Sequence, residues 1–338
     1  MQISLEFSWA DLLPLAAGEG ERLQRRLARL RKLEAEAGKA ALAFQQIRTP
    51  EQLTVRPQFA VRFEPADVPG DPSDRLLPPR HERPPATRLI SPRGIALRLY
   101  LTALFESQTR SAGERPGNTL PLADRDRVSW IDFLATPAER GGVRTFASVR
   151  DKKIRQLQDA LRRLSGPDIQ LVTLPHWTRA TGKYEDFLLM HEGGAPYGGG
   201  TNDRYTVPTG GVERLVRLPA GLFHNGWIHV LEDTELAFLL MIACLHAHFG
   251  NNQPVFATGQ VRLLQFGLGR DAYQAHQILG LLHLIEVEVD PDRHIGGGKI
   301  RGFSEDNPPK LHRFRLLRDG FDQPAIPTTR SAIERRLG

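Results

Sequence analysis

Little in this sequence points to redox or metal chemistry. Cys244 is the sole cysteine, which excludes an intrachain disulfide and any zinc site built on thiolates. It stands in Leu239-Leu240-Met241-Ile242-Ala243-Cys244-Leu245, a setting that reads as a buried core thiol and not as a nucleophile. Long apolar runs are missing too. None reaches membrane-spanning length, and the polar start Met1-Gln2-Ile3-Ser4-Leu5-Glu6 has no signal-peptide pattern. The expectation is a cytoplasmic protein without a membrane partner. A Walker loop, His-Glu-x-x-His and Gly-x-Ser-x-Gly are absent, and carboxylate spacing singles out no catalytic pair. No cofactor, metal, small-molecule substrate or enzymatic activity is expected. Lysine is also scarce: Lys32, Lys39, Lys152, Lys153, Lys183, Lys299 and Lys310 are all of it.

What is there fits a packed protein. At 338 residues the chain has room for two domains and an extension. Apolar residues make up 40% and charged ones 25%, which is enough for a core and argues against global disorder. The formal charge of +6 attracts polyanions, nucleic acid above all. Most basic residues are arginines, whose planar fork suits guanine edges and phosphates. A GC-rich genome produces the same bias, so the arginines alone decide nothing.

The chain divides by pattern. Gly18 to Ile47 reads as one helix with Leu23, Leu27, Leu30 and Leu33 as an apolar stripe. Arg22, Arg25, Arg26, Arg29, Arg31 and Lys32 surround it. The stripe has to be covered, by docking in cis or by pairing with a second copy into a homodimer, and pairing is slightly favoured. Pro65 to Thr87 is too rich in proline for a regular element and reads as a solvated linker or arm. Ser91-Pro92 then reads as the start of a helix ending near Arg110. Val128–Leu134 is a short second helix, and Ser148 to Leu164 a third. Ile169–Leu174 and Tyr184–Met190 read as strands around a loop that carries His176, Trp177, Arg179 and Lys183. Glycines from Gly193 to Gly200 suggest a flexible connector.

The same order then repeats more clearly. A helix runs from Glu232 through Phe249, and a short one spans Gly259–Phe266. The turn Gly267-Leu268-Gly269 follows, then a helix over Arg270 to Leu282. Ile285–Val289 and Leu311–Leu316 close it as strands. Glu286 and Glu288 on one strand face Arg313 and Arg315 on the other, which favours their pairing. A last basic helical turn is expected between Thr328 and Leu337.

Helix, helix, tight glycine turn, helix and ribbon resembles a winged helix-turn-helix. The fold expected is mainly α with small β-ribbons (α+β). Its parts are an N-terminal helix and arm over 1–87, a winged-helix domain over 88–192, a linker over 193–215, a second winged helix over 216–320 and a tail over 321–338. In such a module the third helix enters the major groove. Ala272, Ala275, Leu279 and Leu282 share its inner face. Arg270, Tyr273, Gln274 and Gln277 share the outer one and suit base edges. Candidates for the DNA backbone are Arg150, Lys152, Lys153, Arg155, Gln156, Arg162 and Arg163 on the upstream third helix, and Arg179 and Lys183 on its wing. Arg293, Lys299 and Arg301 on the glycine-rich second wing complete the set.

Two such modules in tandem after a helical arm resemble the iteron-binding replication initiators of plasmids. The resemblance is architectural, spans roughly residues 89 to 320, and implies binding to repeated double-stranded sites at an origin. Transcription regulators and partition proteins use the same module and stay open as alternatives. His246-Ala247-His248 has the spacing of rolling-circle nucleases, with Tyr273 downstream in the place of their nucleophile. That pair falls on an expected helix, where residues two apart point in different directions, so the nuclease stands behind the DNA-binding readings.

Overall fold

Two strand-forming tetrapeptides far apart in sequence set the architecture. The computed structural model describes residues 15, 17–64, 76–91, 94–136, 148–197, 199–211, 214–250, 253–289 and 310–338. It is a mixed α+β fold, helix-rich, with three small antiparallel sheets among those residues. Helix α1 (Glu19–Gln45) leads into β1 (Gln52–Val55), which pairs with β4 (Val216–Pro219) in the register Leu53↔Leu218 and Val55↔Val216. The start of the chain is thereby sewn to the start of its second half. Most of the buried apolar side chains form one continuous cluster, from Leu23 to Ile333.

The first half holds α2 (Pro85–Arg88), α3 (Ala96–Ser107) and α4 (Val149–Leu164). Its ribbon is β2 (Val172–Thr173) against β3 (Leu188–Leu189). The expected short second helix is a single 3-10 turn, Trp130–Phe133. Reciprocal capping boxes start this turn, from Ser129 and Asp132, and α4, from Ser148 and Asp151. Helix α3 starts at Ala96 and not at the Ser91-Pro92 signal. The Ser91 N–H donates to Asp233, and its hydroxyl accepts from the Gly94 N–H, so Ser91 closes a local turn instead.

After β4 come two single-turn helices, α5 (Gly221–His224) and α6 (Trp227–Val230), then α7 (Asp233–Phe249). A π-helical turn, Val261–Gln265, precedes α8 (Arg270–Tyr273) and α9 (Ala275–Leu281). Strands β5 (Ile285–Glu288) and β6 (Arg313–Leu316) pair with Glu286 opposite Arg315 and Glu288 opposite Arg313, as the charges predict. Val255, between α7 and the π turn, bridges to Phe314 of β6. Helix α10 (Ala325–Leu337) ends the chain, longer than the single turn expected.

Of the two ways expected to cover the apolar stripe of α1, docking in cis is the one seen within the chain. Leu23, Leu30 and Leu33 are buried, and α10 packs along the helix. Glu34–Arg330 at 2.6 Å and Glu19–Arg336 at 3.1 Å fasten the two. Glu36 of α1 binds Lys153 of α4 at 2.8 Å, and Arg26 binds Glu235 of α7. The helix is thus a spine that both halves share.

The described part of the proline-rich segment is a packed strap and not a solvated linker. Prolines fix φ but remove N–H donors, so carbonyls nearby need other partners. Arginines supply them. Arg80 donates to the carbonyls of Arg88 and Ile90, and Arg83 to that of Pro78. Arg88 is only 2% exposed and donates to the carbonyls of Arg83 and Asp168. The expected glycine connector is likewise packed in part. Gly194 lies against Pro85 and the Ile169 carbonyl, and Tyr205 and Val207 beyond it are buried.

The strap also explains one glycine. Gly267 has φ +65°, and a Cβ there would come within 2.8 Å of Thr87 Oγ1 and 2.9 Å of Arg83 Cβ. Gly267→Ala should lower stability by about 1–3 kcal/mol, through left-handed strain alone. Chemical denaturation checks this, and an unchanged midpoint would mean that the turn takes up another backbone conformation without cost.

Candidate nucleic-acid interface

The turn ahead of α8 is held from inside by Arg262. Its guanidinium donates to the carbonyls of Leu268 and Gly269, each at 2.7 Å, and lies 4.7 Å from the Tyr273 ring centroid. Leu268 plugs the core at 1% exposure. Nothing in the amphipathic pattern marks Arg262. Only its place one turn before the glycines could suggest that it caps the exposed carbonyls of a tight turn.

Beyond that turn, Arg270, Gln274 and Gln277 are exposed, while Ala272, Ala275 and Leu279 of α8 and α9 are buried, so the two faces fall as predicted. The expected single helix is interrupted at Gln274. His276 Nδ1 lies 2.5 Å from the Tyr273 carbonyl, the acceptor that the Gln277 N–H would take in a regular helix. The Gln277 N–H bonds the Gln274 carbonyl instead. This 3-10 step tightens the helix between the two glutamines.

Tyr273 is not a free reader. Its hydroxyl lies 3.1 Å from His312 Nδ1, and its ring packs edge-on to Phe238 and Phe314. It ties the helix to the ribbon and leaves the outer face to Arg270, Gln274 and Gln277. Arg22 of α1 reaches Gln274 Oε1 at 3.4 Å, so the N-terminal helix borders this face. On the ribbon, Arg315 pairs with Glu286 at 3.1 Å, and Arg313 is exposed beside the Phe256 ring. Arg293, Lys299 and Arg301 lie outside the described residues.

The candidates of the first half separate by partner. Lys153 is corrected: it is buried, and its Nζ is spent on Glu36. Burial would push the Glu36 carboxyl up, but hydrogen bonds from Lys153 and Lys39 outweigh it and hold the group below its ordinary value. Gln156 Oε1 lies 2.7 Å from the Thr136 hydroxyl and accepts from it, and Arg150 donates to the Asp124 carbonyl at 2.9 Å. Arg163 grips Asp168 through both carboxylate oxygens, so it braces the end of α4. Arg155 and Arg179 are exposed, and Lys152 is half-buried. Arg162 is exposed and donates to the Tyr184 hydroxyl. Lys183 lies 5.0 Å from the Trp177 ring centroid. Of the expected set, Arg155, Arg162 and Arg179 are the exposed cations, and Lys152 and Lys183 are half-buried.

His246 and His248 stand on α7, the first buried and the second exposed with Nδ1 2.9 Å from Arg214. They do not share a face. No group of three His, Cys, Asp or Glu among the described residues could hold a metal ion. Burial pushes the Cys244 thiol up to about 12, away from nucleophile chemistry. No helix among the described residues is long and apolar enough to cross a membrane. No protein-family model matches the chain, and no curated protein or solved structure matches it.

Proposed function

We propose that this chain is a sequence-specific double-stranded DNA-binding protein built on two winged-helix halves, and that it acts as a replication initiator of a plasmid or other mobile element. One observation carries the reading. Arg270, Gln274 and Gln277 stand exposed along α8 and α9, which follow a braced glycine turn and precede a two-stranded ribbon. Arginine to guanine and glutamine to adenine are the pairings that major-groove geometry favours. The bridge from Val255 to β6 supports the fold assignment, because a winged helix places a strand between its first two helices and pairs it with the ribbon. In the first half the extra pairing comes from Arg204, after the ribbon, so that half is the more divergent. The formal charge of +6 and the outward cations of α4 supply the non-specific attraction.

The test begins with DNA selected from random duplexes and mapped to its genomic position. Clustered repeats support an initiator, and a lone promoter site turns the reading to a transcription regulator. On the selected site, Gln274→Ala and Arg270→Ala should each weaken cognate binding by roughly 1–3 kcal/mol and binding to random duplex far less. Lys152→Ala and Arg155→Ala should weaken both alike and flatten the salt dependence, by about 0.9 in log–log slope for each phosphate no longer neutralised. Absence of duplex binding at low salt sinks the proposal.

A further inference from the structure

The loop between β2 and β3 holds the most exposed tryptophan among the described residues. Trp177 is 49% exposed, whereas Trp130 and Trp227 are 1% and 0% exposed. The exposed apolar surface of Trp177 would gain from being covered by a partner. Its surroundings are charged, with cations beside the ring, Glu185 lining the cleft behind the loop and Asp186 paired with His176 at 3.3 Å. Lys183 Nζ lies over the indole, 5.0 Å from the centroid, and Tyr184 meets its edge at 5.9 Å. Arg179, on the same loop, is exposed.

Behind the loop is a cleft of about 360 Å³, in the range of about 300–1,000 Å³ typical of small-ligand sites. Gln158 and Arg162 of α4 line one side, and Thr181, Lys183 and Tyr184 the other. The Tyr184 hydroxyl accepts from Arg162 at 2.9 Å, so Arg162 is held at the cleft, where its exposed pair with Asp159 at 2.7 Å would have to yield to a phosphate. Lys183 belongs to both places: it lines the cleft and covers the indole.

Resting on the DNA-binding reading, we propose that this loop holds one unpaired nucleotide of the bound DNA, its base stacked on Trp177 and its phosphate taken by Lys183 and Arg162 at the cleft. Every base has a π-face, so an indole accepts any base that has left the duplex, and a neighbouring cation fixes its phosphate. A base still paired within a duplex cannot offer its face. The first half would then recognise opened DNA while the second reads the paired site.

The full-length protein is titrated with two duplexes of the same selected sequence, one perfect and one carrying a single unpaired thymine opposite the first half. The parent should bind the bulged duplex more tightly, with quenching of tryptophan emission. Trp177→Ala should lose roughly tenfold or more on the bulged duplex and little on the perfect one, and its quenching should vanish. Trp177→Phe should keep most of the affinity, because a smaller ring still stacks. Equal affinity of the parent for both duplexes, or equal loss on both in Trp177→Ala, overturns the inference while leaving duplex recognition intact. Failure of the parent to bind either duplex overturns both.

Discussion

Glu235→Ala should destabilise the protein by about 3–5 kcal/mol, because it strands the Arg26 charge in the interior. The two side chains are 9% and 4% exposed and meet through the two terminal guanidinium nitrogens and both carboxylate oxygens. Burial would lower the pKa of Arg26, but the Glu235 carboxylate outweighs it and holds the guanidinium above its ordinary value. Arg26 keeps one other bond, to the Val230 carbonyl at 3.2 Å, which carries no charge. The same carboxylate also accepts the Glu232 N–H in the capping box of α7, so the variant loses a cap as well. The double variant Arg26→Met with Glu235→Leu should recover most of the loss, since an apolar pair of similar size avoids the uncompensated charge. Denaturant titration measures both. Because α1 docks within its own chain, the parent's midpoint should not move with protein concentration. A concentration-dependent midpoint, or a Glu235→Ala variant as stable as the parent, would show that the helix is covered by a second copy or held by its leucines alone.

That pair also shows where sequence patterns stop being informative. The leucine stripe of α1 is legible from its spacing, but stripes say only that something covers them. The covering surface is α10, whose residues lie some three hundred positions away, and the ion pairs to Glu235 and Lys153 join elements with no sequence relation. Local signals carry further. Ser148 and Asp151 mark the start of α4, and the alternation of Glu286 and Glu288 against Arg313 and Arg315 foretells the ribbon and its register. The outward set Arg270, Gln274 and Gln277 is legible for the same reason, since helix period is a local property. Tyr273 and Lys153 escape such reasoning because their polar ends find partners, His312 and Glu36, that only the folded chain supplies. Composition misleads at the proline strap. Proline density excludes long helices, but it does not exclude a packed segment whose carbonyls are satisfied by arginine side chains.

Between about pH 6.5 and 5 the protein should lose stability on the order of 2 kcal/mol through His229, at 1.36 kcal/mol for each pH unit. This imidazole is 6% exposed, and its Nε2 has no hydrogen-bond partner among the described residues. Burial, then the charges of Arg98 and Lys153, push its pKa down to about 3. An unfolded histidine titrates near 6.5, so the two states differ by about 3.5 pH units. The sign follows from which state takes up the proton. Above pH 6.5 both states are neutral, and the full stability is present. Between about 6.5 and 3 the unfolded chain is protonated and the folded one is not, so stability falls as the pH falls. Other groups facing the site act differently. Glu36, held low by Lys153 and Lys39, adds loss only in the carboxylate range. Asp233, raised by burial against the pull of Arg98, contributes in the opposite sense, its stability present in acid and lost as the pH rises. His224 and His246, also pushed down by burial, lose stability in the same sense from about pH 6.5 downward, and His229, the most strongly shifted, contributes the largest part. His229→Phe removes the titrating ring and keeps an aromatic in the space. The variant's absolute stability is not the readout; the slope of unfolding free energy against pH is. His229 should contribute about 1.4 kcal/mol per pH unit across that window, and the variant's slope should be shallower by that amount, the remainder coming from His224 and His246. The same slope in both would mean that His229 is hydrated or paired in solution and that the acid sensitivity arises elsewhere.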